Sequence, residues 1–111
     1  MLTIMKLDME MDGWEAVFKP HEINVIRTIY DYPAGVTSST VHSYVSEVSR
    51  ATVINFMEYL AKENLVNRVE RTGKGGKHGV YSPKYPRGEL ATEIMSRFTN
   101  FMDKHLAEEL V

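Results

Sequence analysis

The stretch SRATVINFMEYLAKENLVNRVERTGKGGKHGVYSP, from Ser49 to Pro83, decides how this chain folds, because it changes hydrophobic period twice in 35 residues. Ser49 is a helix cap by type, and Val53, Phe56, Met57 and Leu60 then fall within one narrow arc of a helical wheel. This spacing predicts a helix running to about Glu63, with Asn64 as its left-handed stop. From Leu65 to Thr72, valines alternate with polar residues, which predicts an extended strand. Gly73 to Gly79 reads as a flexible loop, and Val80-Tyr81-Ser82 as a returning strand closed by Pro83. The product is a helix followed by a β-hairpin with a basic tip.

Upstream, Pro20 suits the first turn of a helix, and Ile23, Ile26, Ile29 and Tyr30 recur at helical spacing until Tyr32-Pro33-Ala34-Gly35 stops the run, giving a helix over 20–31. The hydroxyls of Thr37 to Thr40 offer a cap for a short helix over about 39–47, striped by Val41, Tyr44, Val45 and Val48. Beyond Pro86, residues 88–109 align Leu90, Ile94, Phe98, Phe101 and His105 with Met95, Met102 and Leu106 beside them. A helix of that length extends roughly 30 Å, more than so small a domain covers alone. Leu90, Ile94, Met95, Phe98, Phe101, Met102 and Leu106 are therefore expected to line a homodimer seam. At the other end, Leu2, Ile4 and Leu7 suggest a strand, while Trp14, Val17 and Phe18 suggest a helix packed on the rest.

The expected fold is thus mostly α with a small β-hairpin, a winged helix-turn-helix with a long C-terminal dimerisation helix. It divides into an N-terminal segment 1–19 packing on the domain, a winged-helix domain 20–85 and a C-terminal helix 86–111. A chain of 111 residues fits one domain, and 43% hydrophobic and 25% charged residues match a globular composition. Zero cysteines exclude disulfides and thiolate chemistry. No run of 18 apolar residues offers a membrane span, and Lys6, Asp8, Glu10 and Asp12 break up any leader-like start, so a cytoplasmic protein is expected.

Charge is distributed unevenly. Residues 1–49 hold 3 Lys and Arg against 7 Asp and Glu, residues 50–88 hold 8 against 3, and residues 89–111 hold 2 against 5. The basic block coincides with the third helix and the hairpin, and attraction to phosphates depends on local potential rather than on the net charge of -2. On the outward side of the third helix stand Ala51, Thr52, Asn55, Tyr59 and Lys62, with Ser49 and Arg50 at its start. Small residues allow close approach, Asn can pair bidentately with adenine and Arg can reach guanine or a phosphate. In the hairpin, Arg68, Arg71, Lys74, Lys77 and His78 flank a glycine loop suited to a sugar-phosphate surface. These residues are the expected contacts to double-stranded DNA, and the competing bland reading is a solvated basic face.

No frame for catalysis or a bound cofactor is visible. The glycine loop lacks the sixth-position glycine of a dinucleotide fingerprint, where His78 stands, and opens no helix. His21, His42, His78 and His105 include no two at metal-ligand spacing, and Ser38 and Ser46 lie in no nucleophile motif. No catalytic residue, metal or cofactor is expected.

Ser49-Arg50-Ala51-Thr52-Val53, the Phe56/Met57/Leu60 set, Glu63-Asn64-Leu65-Val66, the basic glycine loop and Val80-Tyr81-Ser82-Pro83 together resemble winged-helix repressors of the BlaI/MecI type, within the wider MarR-like group. The resemblance covers about residues 20–85. It implies a homodimer joined through C-terminal helices, binding palindromic promoter DNA and repressing transcription. Asn100-Phe101 also resembles the dipeptide at which β-lactamase repressors are cut, although two common residues do not transfer that switch, and the acidic N-terminus with Trp14 departs from the pattern. Two alternatives stay open: a winged-helix module that docks a protein, and a small effector-binding sensor using the Met-rich final helix.

Overall fold

The computed structural model describes the backbone of residues 13–110 and the side chains of residues 13–104. A 3-10 turn, Gly13–Ala16, leads into helix α1, Pro20–Asp31, and a two-residue strand β1, Val36–Thr37. Helices α2, Ser38–Tyr44, and α3, Arg50–Lys62, follow; then come strands β2, Val66–Gly73, and β3, Gly76–Pro83, and the 24-residue helix α4, Arg87–Leu110. The strands form one antiparallel sheet in the order β1-β3-β2. Four helices with this small sheet make a winged helix fold. The strand expected around Leu2, Ile4 and Leu7 lies outside the described residues, as does the side chain of Leu106.

Local chemistry explains the helix limits. The Glu22 carboxylate accepts the Lys19 amide at 2.8 Å and closes the first turn of α1 behind Pro20. Thr37 caps α2 by accepting the Thr40 amide, and Ser49 caps α3 by accepting the Thr52 amide at 3.2 Å. Asn64, with φ of 58°, ends α3 in the left-handed conformation, and the Leu65 amide returns to the Leu60 carbonyl. Arg97 of α4 donates to the Glu63 carbonyl at this same helix end, and its ion pair with Glu93 at 2.9 Å holds the guanidinium in place.

The core joins Ile23, Val25, Ile26 and Ile29 of α1 to Val41 and Val45, to Val53, Phe56, Met57 and Leu60 of α3, and to Val66 and Tyr81 of the sheet. All four inward residues expected on α3 are buried there. Trp14 stacks on Phe18 at 5.9 Å between centroids, and Phe18 meets Phe56 of α3 edge-on. No helix among the described residues is long and apolar enough to cross a membrane.

Three expectations need correction. Strand β1 is absent from the sequence reading, because two residues carry no periodicity and Val36 and Thr37 become a strand only by pairing with Tyr81 and Val80. Helix α2 is shorter than 39–47, ending at Tyr44 while Val45 enters the core from a non-helical position. The glycine loop shrinks to a two-residue turn, Lys74-Gly75, because Gly73 pairs with Gly76 and the ladder continues through Thr72–Lys77 and Arg71–His78. The positive φ of Gly75 and Gly76, 89° and 102°, is what lets the chain reverse so tightly.

Candidate nucleic-acid interface

Spacing along α3 places Ala51, Asn55, Glu58 and Lys62 on one line opposite the buried Val53, Phe56, Met57 and Leu60. Ala51, Asn55 and Glu58 are exposed, as is Arg50 at the helix start, and Lys62 and Ser49 also reach solvent. Ser49 and Thr52 are joined hydroxyl to hydroxyl at 2.9 Å, so their side chains already serve the cap. Asn55, Glu58 and Lys62 then share one open groove with Asn67 and Arg68 at the start of β2. Helix and hairpin therefore face a common space.

Tyr59, expected among the outward residues, is half-buried: it lines the same groove while its ring stacks on Phe56 at 6.2 Å between centroids. Its hydroxyl is buried and finds no hydrogen-bond partner among the described residues. Burial first, with Glu63 and Glu22 adding repulsion, pushes the phenol up to about 12. Because this folded value exceeds the ordinary one of 10, the stabilisation is complete below about pH 10 and drains away as pH rises toward 12. The ring that carries this hydroxyl is only partly buried, so screening by nearby solvent holds the effect to about 1 kcal/mol. Tyr59→Phe is expected to flatten this alkaline loss and to raise stability at neutral pH. Urea melts at pH 7 and pH 11 measure both, and a variant less stable than the parent at pH 7 would show that the hydroxyl is satisfied in solution.

Alternation along the hairpin sorts the wing residues by face. Arg68, Glu70 and Thr72 of β2 stand opposite Tyr81, Gly79 and Lys77 of β3, on the face that includes buried Tyr81. Asn67, Val69 and Arg71 stand opposite Ser82, Val80 and His78 on the other. The expected wing cations are thus divided, with Arg71 and His78 on the face of Asn67, Lys77 on the face of Arg68 and Tyr81, and Lys74 at the tip. Extending the strands through the glycines makes this division readable from alternation in the sequence.

Arg68 is also less available than its charge suggests. Its Nε donates to Glu58 Oε1 at 3.1 Å and lies 3.4 Å from the Tyr81 hydroxyl, and its guanidinium sits 5.7 Å from the Tyr81 ring centroid. Tyr81 donates to the same Glu58 oxygen at 2.6 Å. A Cβ at position 79 would stand 2.8 Å from Arg68 Nε, so Gly79 leaves the space in which the guanidinium rests. Burial and then the bond with Glu58 raise the Tyr81 phenol above its ordinary pKa, keeping it a neutral donor. The cluster ties the exposed face of α3 to the wing. Glu58 escapes a reading of the sequence because an acidic residue in a basic block looks incidental.

On α4, Leu90 and Ile94 are 3% and 2% exposed, buried in the chain's own core and unavailable for the seam expected of them. Phe98 packs partly against that core, whereas Met95, Phe101 and Met102 are between 43% and 50% exposed. The helix spends its first half on its own domain and presents a narrower apolar surface beyond it.

The fold and this groove define the protein as a winged-helix protein with a mixed polar and basic helix-wing surface. No protein-family model matches the chain, and no curated protein matches it. Among solved structures it is similar to a possible transcriptional regulator from Methanosarcina mazei Go1, with a TM-score of 0.64 and 17% identity over 84% of this chain and 77% of that one. At that identity the likeness concerns the fold.

Proposed function

We propose that this protein is a transcriptional regulator that binds double-stranded DNA in a sequence-specific manner as a homodimer, with α3 in the major groove and the β2–β3 hairpin against the backbone. The observation that carries this reading is the open groove into which Asn55 and Lys62 of α3 and Asn67 of β2 all face. Arg50 at the start of α3 and Lys74 and Lys77 on the wing are exposed and add positive charge to the same two elements. Ala51 permits close approach to bases, Asn55 reads adenine and the lysines neutralise phosphates. The similarity to a possible transcriptional regulator and the resemblance to BlaI/MecI-type repressors support the same assignment. Repression then follows from occupying a palindromic promoter site whose half-sites lie about 34 Å apart or a multiple of that.

Lys74→Ala combined with Lys77→Ala tests the wing. Binding to every duplex should weaken, and the slope of log affinity against log salt should become shallower by about 0.9 for each phosphate that the variant no longer neutralises. Anisotropy titrations across a salt series read this directly, and an unchanged slope removes the wing from the interface. Asn55→Ala on a selected site should cost about 1–3 kcal/mol of discrimination against random DNA. A parent protein with no measurable duplex affinity at physiological salt would instead favour the protein-docking use of this fold.

A further inference from the structure

We propose that Glu58 is a base-reading residue that selects cytosine at one position of the target site, with Tyr81 and Arg68 acting as the positioning residues that aim it. This rests on the DNA-binding reading of the groove and names what that groove recognises. Glu58 sits on the exposed line of α3 between Asn55 and Lys62, where an anion meets a polyanion at a cost unless a donor receives it. It is not free to swing aside, because Oε1 accepts from both the Tyr81 hydroxyl at 2.6 Å and Arg68 Nε at 3.1 Å. Both bonds fall on one oxygen, so Oε2 keeps its capacity to accept.

Base chemistry then narrows the partner. Cytosine presents an amino donor in the major groove, whereas adenine sets its amino group beside the N7 acceptor and guanine offers acceptors alone. A carboxylate with no hydrogen to give is matched by the cytosine edge and repelled by N7 and O6. The neutral phenol of Tyr81 and the guanidinium of Arg68 hold that carboxylate as a wing-anchored acceptor, and Gly79 supplies the clearance the guanidinium needs. Arg68 is thereby assigned to orienting Glu58 and not to gripping phosphate.

Selection from a pool of randomised duplexes, run side by side with the parent, Glu58→Gln and Tyr81→Phe, tests this. Glu58→Gln changes one half-exposed carboxylate to its amide, so the fold is retained. The parent motif should contain a cytosine column next to the bases read by Asn55. In Glu58→Gln, whose free end carries an amide donor in place of Oε2, that column alone should turn from cytosine toward a base edge that presents acceptors, with the parent's preference for cytosine there falling about ten-fold or more. Tyr81→Phe should weaken the same column while the others keep their preferences. A Glu58→Gln motif identical to the parent's overturns the assignment of Glu58 and leaves DNA binding intact. A parent that enriches no motif overturns sequence-specific recognition itself, and the assignment with it.

Discussion

A Met95→Glu, Met102→Glu double variant is expected to run as a monomer and to lose affinity for a palindromic site by about a hundred-fold or more. The two methionines lie seven residues apart on α4, two helical turns along one side, and are 50% and 49% exposed. In the proposed seam between two copies, carboxylates there would be buried against apolar side chains, which opposes association. Losing the second subunit turns a tethered half-site contact into an independent one, and tethering is worth about 10²–10⁴ in apparent affinity. Sedimentation gives the oligomeric state and anisotropy gives the affinity. A variant that remains dimeric moves the interface elsewhere; a monomeric variant with unchanged affinity removes the dimer from recognition.

Met57→Ala is expected to lower unfolding stability by about 2–5 kcal/mol. Met57 is fully buried at the centre of the α3 stripe, and shortening it leaves a cavity between α3 and the rest of the core. Against a total of about 5–15 kcal/mol for a domain, this is enough to shift the urea midpoint substantially. A loss below about 1 kcal/mol would mean that neighbouring side chains collapse into the space. Since α3 carries its buried residues opposite the exposed ones proposed to read bases, the same variant should also weaken DNA binding through a less firmly seated helix.

Much of the architecture is legible in the residues because its signals are local. Pro20, the Ser49 cap, the 3.6-residue stripe of Val53, Phe56, Met57 and Leu60, and Asn64 at the left-handed stop act within a few positions of themselves, and each stands where its chemistry requires. The strands around the glycines are harder to read. Gly73 and Gly76 look like loop residues in isolation, yet they close a ladder because flanking residues pair across it. Strand β1 is invisible for the same reason, since its two residues gain strand geometry only from a partner more than forty positions away.

The candidate site divides likewise. Local sequence dictates which side chains α3 offers to solvent, because burying one apolar arc commits the opposite arc to water, and it dictates that positive charge gathers in the helix and hairpin. Which of those groups are at liberty is a matter of the folded arrangement. Folding leaves Tyr59 half-buried against Phe56, takes Leu90 and Ile94 into the chain's own core, sets Arg71 and His78 on the opposite face of the ribbon from Arg68 and Lys77, and binds Arg68 to Glu58 and Tyr81. The difference is one of range: caps and helical periodicity are fixed by neighbours along the chain, whereas burial, strand facing and ion pairing depend on residues that meet only when the chain has folded.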